Sequence, residues 1–175
     1  MCGKSRVERE VTDRMAITFA ELLVKRRGTD FVPPERLLCL DPGETTGWSV
    51  FENGKLTAWG QAKTLANGWS EIDKLFTDVK PTMVIYENYR VYSHKLSRHE
   101  NSEVYTLRLV GVIEFLCEVM WNILYYNQMA HQAKGFVSDD KLKQWGMYQT
   151  GQKHARDSIR HGIYFLLFDK NLGGK

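Results

Sequence analysis

Short apolar runs along the chain predict a series of strands. Runs of strand length cover 36–40, 47–52, 55–63, 82–86 and 122–126. The pair Asn53-Gly54 between the second and third runs is typical of a two-residue hairpin, so the first three strands are expected to be antiparallel. The fourth run, TMVIY, is apolar throughout, as expected for a strand covered on both faces.

Longer segments with helical periodicity flank and separate these runs. Residues 5–27 predict an amphipathic helix that ends at a cluster of cations and Gly28. One face of this helix would carry Val7, Val11, Met15 and Leu22. Further helices are predicted over 70–79, 102–120 and 153–168. The expected fold is α/β, a mixed five-stranded sheet with three antiparallel strands, then parallel strands, and helices on both faces.

Length and composition indicate one main domain. The chain has 175 residues, of which 43% are hydrophobic and 26% charged, which is the balance of a soluble globular protein. We divide it into an N-terminal helix and linker at 1–35, which contains Pro33-Pro34, and a main domain at 36–175. No apolar run reaches the length of a membrane span, and the N-terminus has no apolar core of a secretory signal.

The cysteines indicate the redox state of the protein's compartment, and the charge distribution indicates what the protein could bind. Three scattered cysteines, Cys2, Cys39 and Cys117, show neither metal-binding spacing nor a disulfide framework, so we expect reduced thiols in a cytoplasmic protein. The net charge is +3, but 37–88 has four basic residues against seven acidic, and 130–175 has eight against four. An acidic cluster beside a basic surface suits a site that holds cations and receives a polyanion, although an accidental distribution explains counts this small equally well.

Three acidic residues occupy comparable positions in the predicted elements. Asp41 ends the first strand in LLCLDPG, Glu87 ends the fourth in VIYEN, and Asp157 lies in the last helix. Burying a carboxylate is costly unless it is solvated or paired, and neighbouring carboxylates repel each other. A divalent cation such as Mg²⁺ resolves that repulsion because it prefers oxygen ligands. His154 faces the same side of the helix as Asp157 and could complete the site.

Each of these residues also has a purely structural interpretation. Asp-Pro-Gly is a common turn sequence, because the three residues preset its dihedral angles. Glu87 precedes a polar loop, and a helical His-x-x-Asp is typical of a solvated face. The order of the acids and the elements that carry them therefore count for more than any single residue.

Four segments resemble the RuvC-like Holliday junction resolvases of the RNase H-like nuclease superfamily, most closely a compact version encoded by a bacteriophage. They are LLCLDPGETTGW at 37–48, MVIYENYRVY at 83–92, KHARDSIRHGIYF at 153–165 and, more weakly, YYNQMAHQAKGFVSDDKLK at 125–143. The resemblance runs from about 36 to 168. The N-terminal helix departs from the family pattern, and Ser158 stands where relatives often have Ala.

The resemblance implies two-metal phosphodiester hydrolysis. Asp41 would bridge two Mg²⁺ ions, and Glu87 and Asp157 would be further ligands. His154 matches a position where relatives have Asp or His, and would either bind metal or help activate the attacking water. One ion would prepare a hydroxide and the other would stabilise the leaving 3′ oxygen. Whether Mn²⁺ replaces Mg²⁺ is left open, and no small-molecule cofactor is expected.

The resemblance also implies partners. The family acts as a homodimer on a four-way DNA junction, and the apolar helix at 103–120 is a candidate for the dimer interface, with plain core burial as the alternative. Phosphate contacts and base stacking are expected from cations and an aromatic residue in two segments. These residues are Arg90, Tyr92, Lys95, Arg98, Lys134, Lys141, Lys143 and Lys153. An ordinary solvated loop remains the alternative for 89–99.

Three other functions are compatible with parts of this pattern. A less selective nuclease for flaps or other branched DNA would use the same acids, since selectivity depends on dimer geometry and DNA bending. A non-catalytic DNA-binding scaffold would be expected to lack at least one acid. An actin-like phosphotransferase also uses Asp-x-Gly-x-Thr-Thr, but it needs a second phosphate loop, which the sequence does not contain.

Overall fold

Five strands form one mixed sheet in the order β3-β2-β1-β4-β5. The structure is a computed structural model and describes residues 17–89 and 101–172. The strands are β1 (Arg36–Asp41), β2 (Thr46–Glu52), β3 (Lys55–Ala62), β4 (Met83–Asn88) and β5 (Leu124–Met129). β1, β2 and β3 pair antiparallel, whereas β4 is parallel to β1 and β5 is parallel to β4. The predicted fold class is confirmed.

Helices cover both faces of this sheet. In the described residues they are α1 (Phe19–Arg27), α2 (Thr64–Asn67), α3 (Ser70–Val79), α4 (Asn101–Phe115), α5 (Ala130–Phe136), α6 (Asp139–Gln144) and α7 (Lys153–Phe168). A π-helical turn, Leu116–Met120, continues α4. The helices α2, α5 and α6 were not predicted, because four to seven residues are too few to show helical periodicity. No described helix has the combination of length and apolar character that crossing a bilayer requires.

The fifth strand begins later than the predicted range of 122–126. Asn122 has φ of +47°, in the left-handed region, so this residue is not extended and cannot begin the strand. The amide of Ile123 instead donates to the carbonyl of Cys117 in the π-helical turn. The strand runs from Leu124 to Met129 and includes Gln128, which the sequence analysis left outside it.

In the part of the chain that the structure describes, the first helix begins at Phe19, whereas the predicted helix continues through this position from residue 5. Thr18 is extended and caps the helix, because its hydroxyl accepts from the amide of Glu21 while the Glu21 carboxylate accepts from the amide of Thr18. One continuous helix over 5–27 is therefore wrong at Thr18, and residues 1–16 lie outside the described residues. Buried Phe19 anchors α1 against Phe51 of the sheet and Trp145.

Alternation along the central strands divides the core into two layers. Leu37 and Cys39 of β1 contact the α7 side, whereas Leu38 and Leu40 contact the side covered by α3 and α4. Because side chains alternate along a strand, Asp41 points to the α7 side. The same alternation in β4 and β5 directs Glu87 and Gln128 to that side.

Candidate active site

Polar residues form one row across the end of the sheet. Asp41 pairs with Gly47, and Glu87 pairs with Gln128. Asp41 and Glu87 each follow the Leu40–Tyr86 pair of two parallel strands by one residue, so they are neighbours in the same row. The row therefore presents two carboxylates and an amide side by side at one edge, facing α7.

Helix α7 crosses directly over this row. A β-carbon at Gly47 would lie 2.0 Å from the carbonyl oxygen of His154, so the helix backbone touches the strand. His154, Asp157 and His161 follow at spacings of three and four residues and therefore share one face of α7. The close approach at Gly47 brings that face within hydrogen-bonding distance of the row.

Two histidines of α7 contact the two strand acids. The Nδ1 atom of His154 lies 2.9 Å from Oδ2 of Asp41, which is only 8% exposed. The Nε2 atom of fully buried His161 lies 2.9 Å from Oε2 of Glu87. The other ring nitrogen of His161, Nδ1, lies 3.0 Å from Oε1 of Gln128. Each strand acid is therefore held by a different turn of the same helix.

Two cations neutralise the inner part of the site. Lys134 of α5 places its Nζ atom 3.1 Å from Oε2 of Glu87 and 3.3 Å from Oδ2 of Asp157. Arg160 donates to Oδ1 of Asp157 and to Asp139, and its Nε donates to the carbonyl of Val137 at 2.9 Å. Asp157 is only 4% exposed, so these cations offset a charge that would otherwise be costly to bury.

Burial and neighbouring charges shift the pKa values of the two strand acids. Burial raises the pKa of Asp41 above its ordinary value, and the charges of Glu87 and Asp157 add to this, against the opposing hydrogen bond of His154. Burial also acts to raise the pKa of Glu87, but the hydrogen bond and charge of His161 and the charge of Lys134 lower it to about 2. The site thus contains one carboxylate that resists ionisation beside one that ionises readily.

The same acids raise the pKa values of the basic groups Lys134 and His154. The hydrogen bond to Asp41 raises the pKa of His154, although partial burial opposes this. Burial acts to lower the pKa of Lys134, but the charges of Glu87, Asp157 and Asp41 outweigh it and raise the pKa. Both side chains therefore favour their charged forms while the carboxylates remain ionised.

The four predicted catalytic residues, Asp41, Glu87, His154 and Asp157, come together at this one edge. The predicted DNA-binding residues are more scattered. Lys134 lies inside the acid cluster, and the Nζ of Lys141 donates to the carbonyl of Phe136 at 2.6 Å. Lys143 and Lys153 are exposed. The other four, Arg90, Tyr92, Lys95 and Arg98, lie outside the described residues.

Three residues of the site were not assigned to it from the sequence. The spacing of four from Asp157 indicates that His161 could approach the site, but the sequence favours a core residue or an indirect neighbour of the acids. Arg160, three residues after Asp157, carried a similar signal. Gln128 carried none, because the predicted fifth strand ended before it.

The residues fit a cation, although no three His, Cys, Asp or Glu side chains in the described residues form a ready-made metal cluster. The donors of Asp41, Glu87 and Asp157 are carboxylate oxygens, which Mg²⁺ prefers. The ammonium of Lys134 lies between two of these acids and acts as a stand-in cation. The pocket therefore already accommodates positive charge at the place where a metal would be held.

A mixed sheet of this strand order, with helices on both faces, defines an RNase H-like fold. No protein-family model matches the sequence, and no curated protein matches it significantly. Solved structures do match. RuvC of Thermus thermophilus in complex with Holliday junction substrate has a TM-score of 0.61 and 13% identity, over 78% of this chain and 95% of that chain. The yeast mitochondrial Holliday junction resolvase Ydc2 has a TM-score of 0.59 and 13% identity, over 87% and 86%. At such identities the likeness establishes the fold, and the RNase H-like prediction is confirmed.

Proposed function

We propose that the protein is a Mg²⁺-dependent, structure-selective DNA endonuclease that resolves four-way junctions. The observation that carries this proposal is the convergence of Asp41, Glu87 and Asp157, from three distant parts of the sequence, at one edge of the sheet. The fold shared with junction resolvases supports it, because those proteins use the same scaffold. A site of hard oxygen donors beside exposed lysines suits hydrolysis of a phosphodiester.

The carboxylates would hold the metal, and the surrounding residues would hold the carboxylates. Asp41, Glu87 and Asp157 would hold two Mg²⁺ ions, which would supply a hydroxide and stabilise the leaving oxygen. His154 orients Oδ2 of Asp41 through Nδ1. With 42% of its side chain exposed, His154 can also exchange a proton with water at Nε2.

Lys134 competes for the same acids as the metal. Its Nζ atom contacts one oxygen of Glu87 and one of Asp157, so a metal held by both acids replaces this ammonium or binds against its repulsion. The four-carbon stem of lysine is flexible, so the ammonium could move away when a metal replaces its two ion pairs. Once it has left, Lys134 is placed to contact a DNA phosphate, the role expected from the sequence.

Cations line a cleft next to Asp157. Lys153 begins α7, next to His154, and is exposed. A cleft of about 350 Å³ lies beside Asp157. Its lining includes Lys134, Ser138, Lys153 and Arg160. We infer that DNA enters this cleft, where Lys153 would bind a phosphate. Lys143, Arg90, Tyr92, Lys95 and Arg98 stay predicted DNA contacts.

Exposed apolar residues on α4 and on the π-helical turn after it support the proposed homodimer. Phe115 is 52% exposed and Val119 is 64% exposed, and other exposed apolar residues lie on the same segment. These are Val104, Leu107 and Met120. An apolar stripe of this kind is typical of a protein interface. Sedimentation should show a dimer that Phe115→Ser weakens, whereas Leu65→Ser, at an exposed leucine of α2, leaves it intact.

The decisive experiment compares DNA substrates. Labelled four-way junction, flap and linear duplex are incubated with the protein and Mg²⁺, with Asp41→Asn and Asp157→Asn as inactive variants. Asp140→Asn is the matched control, because that carboxylate is 93% exposed and pairs only with surface Lys143 in the described residues. We expect symmetric nicks in the junction from the wild type and the control alone.

Other outcomes separate the alternatives. Equal cutting of the flap or the duplex indicates a less selective nuclease with the same site. Junction binding without cleavage in Mg²⁺ or Mn²⁺ indicates a non-catalytic DNA-binding protein. Cleavage by Asp41→Asn at the wild-type rate would show that this carboxylate is not part of the active site.

A further inference from the structure

His161 is one of the buried polar side chains of α7. It is fully buried, and its neighbours along the helix, Ile159 and Ile163, belong to the apolar layer between α7 and the sheet. Burying an imidazole in such a layer costs free energy unless its nitrogens are paired. An apolar residue would avoid that cost, so the presence of histidine calls for a reason other than packing.

Both ring nitrogens of His161 contact residues of the polar row. Nε2 lies 2.9 Å from Oε2 of Glu87, and Nδ1 lies 3.0 Å from Oε1 of Gln128. Glu87 and Gln128 are register partners on neighbouring strands. The ring therefore bridges two adjacent strands at the same level and is fixed at both ends.

Fixing the ring fixes the carboxylate. A glutamate side chain has three rotatable bonds, and freezing them costs conformational entropy when a ligand binds. The contact to His161 engages Oε2, the same oxygen that Lys134 contacts, whereas Oε1 takes part in neither contact. An acid oriented before binding loses less entropy when it takes a cation.

We propose that His161 is a positioning residue that orients Glu87 for metal binding, and that Gln128 orients His161 in turn. The inference rests on the proposed function, because it assigns Glu87 as a metal ligand. His161 itself touches neither substrate nor metal. Its effect is exerted on the affinity of the site for the cation, which outer hydrogen-bonding partners of metal ligands commonly set.

Three substitutions test the two contacts separately. His161→Gln keeps a nitrogen donor near the position of Nε2, next to Glu87. His161→Asn keeps one near Nδ1, next to Gln128, and loses the contact with Glu87. His161→Met has the length of glutamine and suits the apolar surroundings, but it has no donor. Calorimetric titration of each full-length protein with Mg²⁺ and with Mn²⁺, without DNA, measures metal affinity.

We expect His161→Gln to bind metal like the wild type, and His161→Asn and His161→Met to bind about 10–100-fold more weakly. In cleavage assays the loss should raise the metal concentration needed for half-maximal rate, and leave the rate at saturating metal nearly unchanged. If Asn at this position prevents folding, the comparison of Gln with Met still decides. Equal affinity of the Gln and Met variants overturns the inference, whether that affinity is normal or reduced.

The same experiments separate this inference from the proposed function. Junction cleavage by the wild type, together with equal metal affinity of the Gln and Met variants, overturns only the role of His161. Metal binding that depends on the donor at 161, without cleavage of any DNA, overturns the nuclease and leaves the role of His161 intact. A wild-type protein that binds neither Mg²⁺ nor Mn²⁺ overturns both.

Discussion

Gly47 of β2 lies against the carbonyl group of His154 at the start of α7. A β-carbon at position 47 would lie 2.0 Å from that oxygen and 2.8 Å from the amide nitrogen of Ala155. Real atoms do not approach so closely, so any side chain here pushes α7 away from the sheet. The same helix carries His154, which contacts Asp41 at 2.9 Å. The absence of one side chain therefore sets the distance between the two halves of the site.

Gly47→Ala should damage both stability and the site. We expect a loss of about 1–3 kcal/mol in the free energy of unfolding, the usual cost of overpacking a close contact. Urea denaturation measures this loss. The matched control is Gly43→Ala, because a β-carbon there meets its nearest atom at an ordinary 3.5 Å. A Gly47→Ala protein as stable as the control would show that α7 does not rest on this residue.

Lys134→Met should increase the affinity for divalent metal. The variant removes an ammonium that contacts Glu87 and Asp157, so a cation would no longer compete with it. We expect metal affinity to rise by about tenfold or more, since one close unit charge in a partly buried site is worth at least 1.4 kcal/mol. Calorimetric titration without DNA measures it.

Lys143→Met is the control for this charge change. Lys143 pairs with Asp140 at 3.5 Å on an exposed surface, so its removal should leave metal affinity unchanged. A similar rise in both variants would indicate a general effect of net charge. A fall in affinity for Lys134→Met would contradict the competition between the ammonium and the metal.

Asp41→Asn should stabilise the metal-free protein at neutral pH. Burial raises the pKa of Asp41 above its ordinary value of 3.8, so its ionised form is disfavoured in the folded state. The resulting cost is fully present above the raised pKa and disappears below 3.8, where the carboxyl is protonated in both states. Denaturation with a chelator at pH 7.5 and near pH 3, below the ordinary value of 3.8, measures both limits.

The advantage of Asp41→Asn over the wild type should therefore shrink as the pH falls. Glu87→Gln should behave in the opposite way. The pKa of Glu87 is lowered to about 2, so its ionised form stabilises the fold above its ordinary value of 4.5, and that contribution is lost as the pH falls towards 2. Parallel pH profiles for the two variants would contradict the assignment of opposite shifts.

Arg27→Ala should weaken the attachment of α1. The Nε of Arg27 donates to the carbonyl of Leu166, and its Nη2 to the carbonyl of Asp169, each at 2.7 Å. These carbonyls lie at the end of α7, where helical partners are lacking. We expect a loss of about 1–3 kcal/mol, because hydrogen bonds from a charged donor are lost. Lys25→Ala, at an exposed position of the same helix, should change stability by about 0.5 kcal/mol or less.

The fold was largely predictable because its signals are local. Two-residue alternation in β1 separates Leu37 and Cys39 from Leu38 and Leu40, and assigns Asp41 to a face before any partner strand is known. The Asn53-Gly54 turn predicts the hairpin, and residues 53 and 54 both have positive φ in the structure. The predicted starts of α1 and β5 were wrong. Thr18 caps α1, and Asn122 has a left-handed backbone that delays the start of β5.

The sequence by itself determined which residues could form a site, and tertiary structure decided how they are joined. Residue type and strand ends identified Asp41, Glu87, His154 and Asp157. Their roles, together with the predicted DNA contacts, dimer and bacteriophage origin, stay predictions. Asp41 and His154 are 113 positions apart, and Glu87 and His161 are 74 apart. No local pattern extends over such distances. Helices α5 and α7 pack on the same edge of the sheet. Only this packing places Lys134 between two acids and brings His161 into contact with Glu87.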